Sequence, residues 1–295
     1  MNGKERGFLL LTGHLGNPER KPLTVAQYRT LAGRVSQMNK PGEDRELQEP
    51  DLIALGYDRP AAQRILALLA EEKLLDRYLF KGHRQTCVPI PRISEHYPVA
   101  VRIRLGLDAP GCLWAKGNLS LLNQETVSLV GSRQLREANR SFAKTVGREV
   151  ALQGYTLVSG NANGADQVAQ NACLEAGGRV ISVVADSLET YNLQENVLYL
   201  SENAFDEPFS PQRALSRNRV IHALGYVTLV AQCNLNKGGT WDGTVKNLQK
   251  KWSPVFCFND GTPAATELSQ RGAKLIDITQ LSNLAELKSD TQPII

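Results

Sequence analysis

No apolar run in this 295-residue chain approaches the roughly 20 residues that a membrane-crossing helix requires, so a membrane span is excluded. The N-terminal Gly7-Phe8-Leu9-Leu10-Leu11 lacks the longer apolar region and small-residue cleavage site of a signal peptide, and a cytoplasmic protein is expected. The five cysteines, Cys87, Cys112, Cys173, Cys233 and Cys257, show no short paired spacing, which argues against a disulfide framework and a zinc site alike. His14, His83, His96 and His222 are equally isolated, so neither a metal nor another cofactor is expected. Walker A spacing and a full Gly-x-Gly-x-x-Gly are both missing, which leaves an ATPase and an NAD enzyme without support. Aromatic residues are scarce, at 6%. The net charge of +4 is compatible with a polyanionic partner, but it is small enough that the placement of the charges must decide.

Hydrophobic content of 42% and charged content of 22% are those of an ordinary globular protein, and the length suits one large domain beside a small one. From Thr24 to Tyr78 apolar residues recur at helical spacing, among them Leu52, Leu55, Ile65, Leu66, Leu68 and Leu69. Pro41-Gly42 and Gly56-Tyr57-Asp58 interrupt the pattern, and Asp58 is placed to cap a helix with Pro60 in its first turn. Residues 1–82 therefore read as a small helical domain, residues 83–280 as the main core and 281–295 as a polar tail. Between Cys87 and Trp114 the chain turns Pro-punctuated and β-branched, which reads as a connector with short strands.

From Thr126 a regular alternation begins. Strands are predicted at 126–130, 155–158, 179–184, 197–200, 226–231 and 254–258, with helices at 137–153, 164–176, 212–224 and 240–250. Alternation of this kind implies parallel strands joined by crossover helices, hence an α/β fold with a Rossmann-like, doubly wound, mostly parallel sheet.

In such sheets ligands sit beyond the carboxyl ends of the strands, and four strand-to-helix junctions here carry suitable chemistry. Gly131-Ser132-Arg133 combines a tight turn, a hydroxyl and a forked cation. Ser159-Gly160-Asn161-Ala162-Asn163-Gly164-Ala165-Asp166 runs from a strand straight into a helix, so its free amides face an anion, although Asn163 or Asp166 could serve simply as a cap. Arg217-Asn218-Arg219 places two cations early in a helix. Lys237-Gly238-Gly239-Thr240 offers close backbone approach together with two side-chain donors. Arg133, Arg136, Arg140, Lys144 and Arg148 recur at steps of three and four and form a basic stripe, suited to a phosphate backbone or to solvent. Trp241, Tyr191 and Phe209 are candidates to stack on bases, with at least one of them expected in the core.

In this order and on this scaffold, the four junctions resemble the DNA-processing DprA/Smf family, within a group of Rossmann-like folds shared with the lonely-guy phosphoribohydrolases. Glu95-His96-Tyr97-Pro98 and Leu113-Trp114-Ala115-Lys116-Gly117-Asn118-Leu119 resemble the family segments that lead into Gly131-Ser132-Arg133. The resemblance implies single-stranded DNA held in a basic pocket at the strand ends, a homodimer, and a role in DNA uptake, processing or recombination that includes loading RecA. Carried over by position, Gly131, Ser132, Arg133, Ser159, Gly160, Asn163, Gly164, Arg217, Asn218, Arg219, Lys237, Gly238, Gly239 and Thr240 would hold phosphate. Asp166 would order its loop, and no residue would be catalytic.

Two departures mark the chain. Phe209-Ser210-Pro211-Gln212-Arg213-Ala214-Leu215-Ser216 replaces the family's aromatic-proline lead, and Gly238-Gly239-Thr240-Trp241-Asp242-Gly243 stands where Ser-Gly-Ser is usual. Two other readings remain open. Gly238 to Thr244 also resembles the lonely-guy loop, but Asn247 stands where that loop's carboxylate belongs, so cleavage of an N-glycosidic bond lacks its charged group. Alternatively the same pocket holds a nucleotide ligand, as a signal sensor in phage defence.

Overall fold

The computed structural model describes residues 1–38 and 46–289. The interruption read at Pro41-Gly42 and the tail residues 290–295 lie outside them. The chain divides into a smaller unit, Met1–Tyr97 with Pro110–Trp114 and Glu202–Ala204, and a larger one comprising Pro98–Ala109, Ala115–Ser201 and Phe205 onward.

The smaller unit holds α1 (Gly3–Thr12), α2 (Val25–Met38), α3 (Glu49–Ala54), α4 (Arg59–Leu69), α5 (Glu72–Arg84) and the strand β1 (Cys87–Pro91). The apolar run near the N-terminus belongs to α1, where Phe8 to Leu11 are all buried. Leu11, Leu23, Leu31, Leu52, Ala62, Ile65 and Leu68 form one apolar cluster. Asp58 caps α4 by accepting from the Ala61 amide at 2.8 Å, with Pro60 in the first turn, where its missing N–H costs no intrahelical bond.

The stretch read as a connector contains a helix, α6 (Val99–Leu105), followed by β2 (Cys112–Gly117). Val99, Val101 and Ile103 favour strand, but Val101 and Leu105, four apart, are both buried, and Arg104 donates to the Ala223 carbonyl at 2.9 Å. Tertiary packing outweighs local propensity here.

In the larger unit the remaining elements run β3 (Thr126–Val130), α7 (Glu137–Leu152), β4 (Thr156–Ser159), α8 (Ala165–Glu175), β5 (Arg179–Val183), β6 (Val197–Glu202), α9 (Pro211–Leu224), β7 (Val227–Val230), α10 (Gly239–Lys250), β8 (Val255–Phe258), α11 (Pro263–Gln270), β9 (Lys274–Ile276) and α12 (Leu284–Ser289). These seven strands lie in the order β6-β5-β4-β3-β7-β8-β9, every neighbouring pair parallel. The protein is thus an α/β protein with a doubly wound, Rossmann-like sheet. The central strands β3, β4 and β7 are buried on both faces, as parallel strands covered by helices must be, whereas the edge strand β9 exposes Lys274 and Leu275. The chain steps outward from β3 to β6 and returns to place β7 on the other side of β3, with Val127 paired to both Leu157 and Val227. That reversal opens a crevice beyond the carboxyl ends of β3 and β7, the ligand position of open α/β sheets.

Past the last predicted strand, α11 starts on Thr262, whose hydroxyl accepts from the Ala265 amide at 3.3 Å, and leads into the short β9. The region read as a polar tail is packed as far as Leu287: Leu281, Leu284 and Leu287 are buried, and Gln153 exchanges hydrogen bonds of 2.8 Å with the Leu281 carbonyl and the Leu284 amide. A leucine every third residue within an otherwise polar sequence supplies that burial. Among the described residues no helix is long and apolar enough to cross a membrane, and no cluster of His, Cys, Asp and Glu is arranged to hold a metal ion.

Candidate functional site

A cavity of about 890 Å³ occupies the crevice. Its walls come from three junctions of the larger unit: residues 130–136 after β3, 232–240 after β7, and 209–221 around the start of α9. Ala162 and Asp166 contribute from the β4–α8 turn.

Each wall is fixed by local bonding. Gln232 clamps the β3–α7 loop: its carbonyl accepts from the Ser132 amide (2.9 Å) and hydroxyl (3.2 Å), its side-chain oxygen accepts from the Arg136 amide (3.0 Å), and its side-chain nitrogen donates to the Gln134 carbonyl (3.0 Å). Beyond the loop Arg136 pairs with Asp260. Burial raises the Asp260 pKa, but hydrogen bonds from Thr262 and Asn139 and the charge of Arg136 outweigh it and hold the carboxyl below its ordinary value. The β4–α8 turn packs directly on this loop. Gly164 has φ of +94°, and any side chain there would overlap the carbonyl oxygens of Ser132 and Arg133.

Asp166 closes the β4–α8 turn by accepting from the amides of Gly160 (3.1 Å) and Ala162 (3.2 Å). Its burial drives its pKa above the ordinary value, against the opposing pull of Arg217, the two amides and Arg133. Ser210 caps α9 by accepting from the Arg213 amide at 3.1 Å, and Pro211 follows it. Two helical turns from the cap, Arg217 is only 7% exposed and lies directly over Gly160, whose missing side chain leaves the space the guanidinium fills. Asn218 donates to the Gly239 carbonyl at 3.0 Å and so holds the β7–α10 loop. In that loop Gly238 takes φ of +89° as the cap of α10, and with Gly239 and Thr240 it lines the cavity, so the free first-turn amides of the helix begin at the cavity wall.

Of the residues singled out from sequence, the cavity gathers Gly131, Ser132, Arg133, Asp166, Arg217, Asn218, Lys237, Gly238, Gly239 and Thr240. Five others do not line it. Ser159 is fully buried and accepts from Gln170 at 2.5 Å. Gly160 lies beneath Arg217, Gly164 is pressed against the neighbouring loop, and Asn163 is exposed outside the walls. Arg219 faces away and donates to the carbonyls of Asp108 (2.9 Å) and Ser216 (2.7 Å). Gln232 escaped the sequence reading, although its place two residues after β7 is a strand-end signal of the kind that flagged the others.

The aromatic candidates separate cleanly. Trp241 is buried, and Tyr191 stacks on Tyr199 at 4.4 Å while its hydroxyl donates to Asp186 at 2.8 Å. Phe209 is 53% exposed and lines the cavity. Among the described residues lining the cavity, the cations Arg133, Arg136, Arg217 and Lys237 face a single carboxylate, that of Asp166, which is turned into its own loop. Guanidinium forks, an ammonium group and helix-start amides converging on one space are donors arranged for an anion.

The family model for DNA recombination-mediator protein A matches residues 90–286. Protein Smf of Escherichia coli is 30% identical over 203 residues, a stretch covering 63% of this chain and 53% of the relative, so the match spans about half of Smf. The structure of DNA processing protein A from Streptococcus pneumoniae superposes with a TM-score of 0.70 over 97% of this chain and 99% of that one, at 24% identity. That of DNA processing protein A from Helicobacter pylori, concerned with its single-stranded DNA binding mode, gives 0.57 over 68% of this chain and 96% of that one, also at 24% identity. Because the family model spans well over half of the sequence and takes in the cavity-forming junctions, the chain belongs to the DNA recombination-mediator protein A family, the DprA/Smf proteins.

Proposed function

We propose that the protein binds single-stranded DNA through this cavity and acts in DNA processing and recombination as a binding protein rather than an enzyme. The observation that carries the reading is the convergence of Arg133, Arg217 and Lys237 with the α10 amides at the crevice between β3 and β7. Backbone phosphates fit such donors, and charge-assisted bonds to them are the stronger kind. Phe209 adds an exposed ring on which a base can stack beside the held phosphate. The family and the single-stranded DNA binding of the H. pylori relative support the same ligand.

Bond chemistry finds little support in the same cavity. Asn247, which stands where the lonely-guy loop carries its carboxylate, is fully buried away from the cavity walls and accepts from the Ser253 amide at 2.9 Å. Asp166 is committed to two amides. A cytoplasmic homodimer that passes its strand to RecA extends this reading.

The test is competition: labelled single-stranded oligonucleotide bound by the protein is challenged with unlabelled single strand, duplex and a panel of mononucleotides. Displacement by single strand, with duplex and mononucleotides far weaker, is the expected result. Displacement by one mononucleotide at concentrations where oligonucleotide fails would overturn the DNA reading in favour of a nucleotide sensor.

A further inference from the structure

We infer that a single strand held in the cavity leaves it along the outer face of α7, where Arg140, Lys144 and Arg148 form a second, consecutive set of phosphate contacts. The inference rests on the cavity reading and adds a direction to it. Arg133 and Arg136 belong to the loop that lines the cavity, and α7 begins at the next residue, Glu137. Arg140, Lys144 and Arg148 are all exposed, while Phe142, Ala143, Val146 and Val150 bury the opposite side of the helix.

Steps of four residues advance about 6 Å along the axis and drift about 40° around it. The three cations therefore lie on one gently turning line that starts at the cavity mouth, with a spacing suited to successive phosphates of an extended strand. Among the described residues none of the three is in an ion pair, whereas Arg136, nearer the cavity, is engaged by Asp260. The acids nearby do not cancel the line. Glu137 is one exposed carboxylate in the first turn, and the half-buried Glu149 accepts from Gln153 at 3.1 Å. α8, packed beside α7, exposes the uncharged Gln167 and Asn171, with Glu175 only at its far end. Past Glu137 in the first turn the face carries cations alone at Arg140, Lys144 and Arg148, and it is continuous with a cationic cavity, which fits a polyanion that has already entered.

The triple variant Arg140→Gln, Lys144→Gln, Arg148→Gln keeps helix propensity nearly unchanged at three exposed positions, and an unaltered unfolding midpoint would verify that the fold is intact. Binding is measured across a salt series with a short single strand of about 5 nucleotides and a long one of about 16, lengths within the range that single-strand-binding folds cover. Each phosphate contact contributes about 0.7 to the slope of log affinity against log salt for single strands. The variant should therefore show a slope shallower by about 2 on the long strand and unchanged on the short one. A fourfold rise in salt would cost the native complex about 20-fold more affinity than the variant complex. Equal losses on both lengths, or no loss on the long strand, would overturn the track while leaving the cavity reading intact. Native protein that binds neither length overturns both.

Discussion

Gly160 supplies a sharp test because it makes no ligand contact in the proposed complex and yet determines where a cation sits. A Cβ at this position would fall inside the van der Waals envelope of the Arg217 guanidinium, so Gly160→Ala must drive that group out of the cavity floor. The backbone at Gly160 is not in the left-handed region, and the clashing atoms are the far end of a long side chain, so the fold should tolerate the change. Loss of one charge-assisted hydrogen bond to phosphate costs about 2 kcal/mol, or roughly 30-fold in affinity. The salt slope should fall by about 0.7 with it. Fluorescence anisotropy with labelled single strand measures both, and a double-mutant cycle isolates the cause. If Gly160→Ala acts only by displacing the guanidinium, it should have almost no further effect in an Arg217→Ala background. Native-like binding by Gly160→Ala, or additive losses in the cycle, would refute this account of the cavity floor.

Arg219→Ala should leave the salt slope of DNA binding at its native value, because Arg219 is spent on the carbonyls of Asp108 and Ser216; a slope change like that of Arg217→Ala would contradict the geometry. Asp58→Ala removes the α4 cap and should cost about 1 kcal/mol in chemical denaturation with no change in DNA affinity. His222 is fully buried, with Asn247 donating to its Nδ1 at 3.0 Å, and burial lowers its pKa from 6.5 to about 3. The folded state thus favours the neutral ring. Its stabilising contribution is complete above pH 6.5 and is lost progressively as pH falls toward 3. Denaturation across this range should show a steeper acid loss for native protein than for His222→Gln; identical slopes would contradict it.

The strands β3 to β8 were legible because parallel strands buried on both faces must be short, continuous apolar runs, and Thr126–Val130 or Val255–Phe258 read as little else. α6 was not, since its β-branched residues carry the local preference of a strand and only packing and the Arg104 bond reveal a helix. β9, three residues long with a lysine first, is too brief for any period to show. At the site, the strand-end rule located the walls but could not give side-chain direction. Ser159 closes β4 and turns inward to Gln170, while Arg219, two residues beyond Arg217 on one helix, must point elsewhere. That second point was available from helical geometry alone. The clamp at Gln232 was harder to see, because a neutral residue without glycine or charge beside it announces no anion.

If Arg133 and Lys237 of the cavity grip the DNA backbone, equilibrium binding of a labelled single strand across a salt series must differ between native protein and the Arg133→Ala/Lys237→Ala variant. Weaker binding by the variant at every salt concentration is expected, with a slope shallower by about 1.4, two phosphate contacts' worth. Superimposable curves for the two proteins would contradict it and place the DNA elsewhere on the molecule.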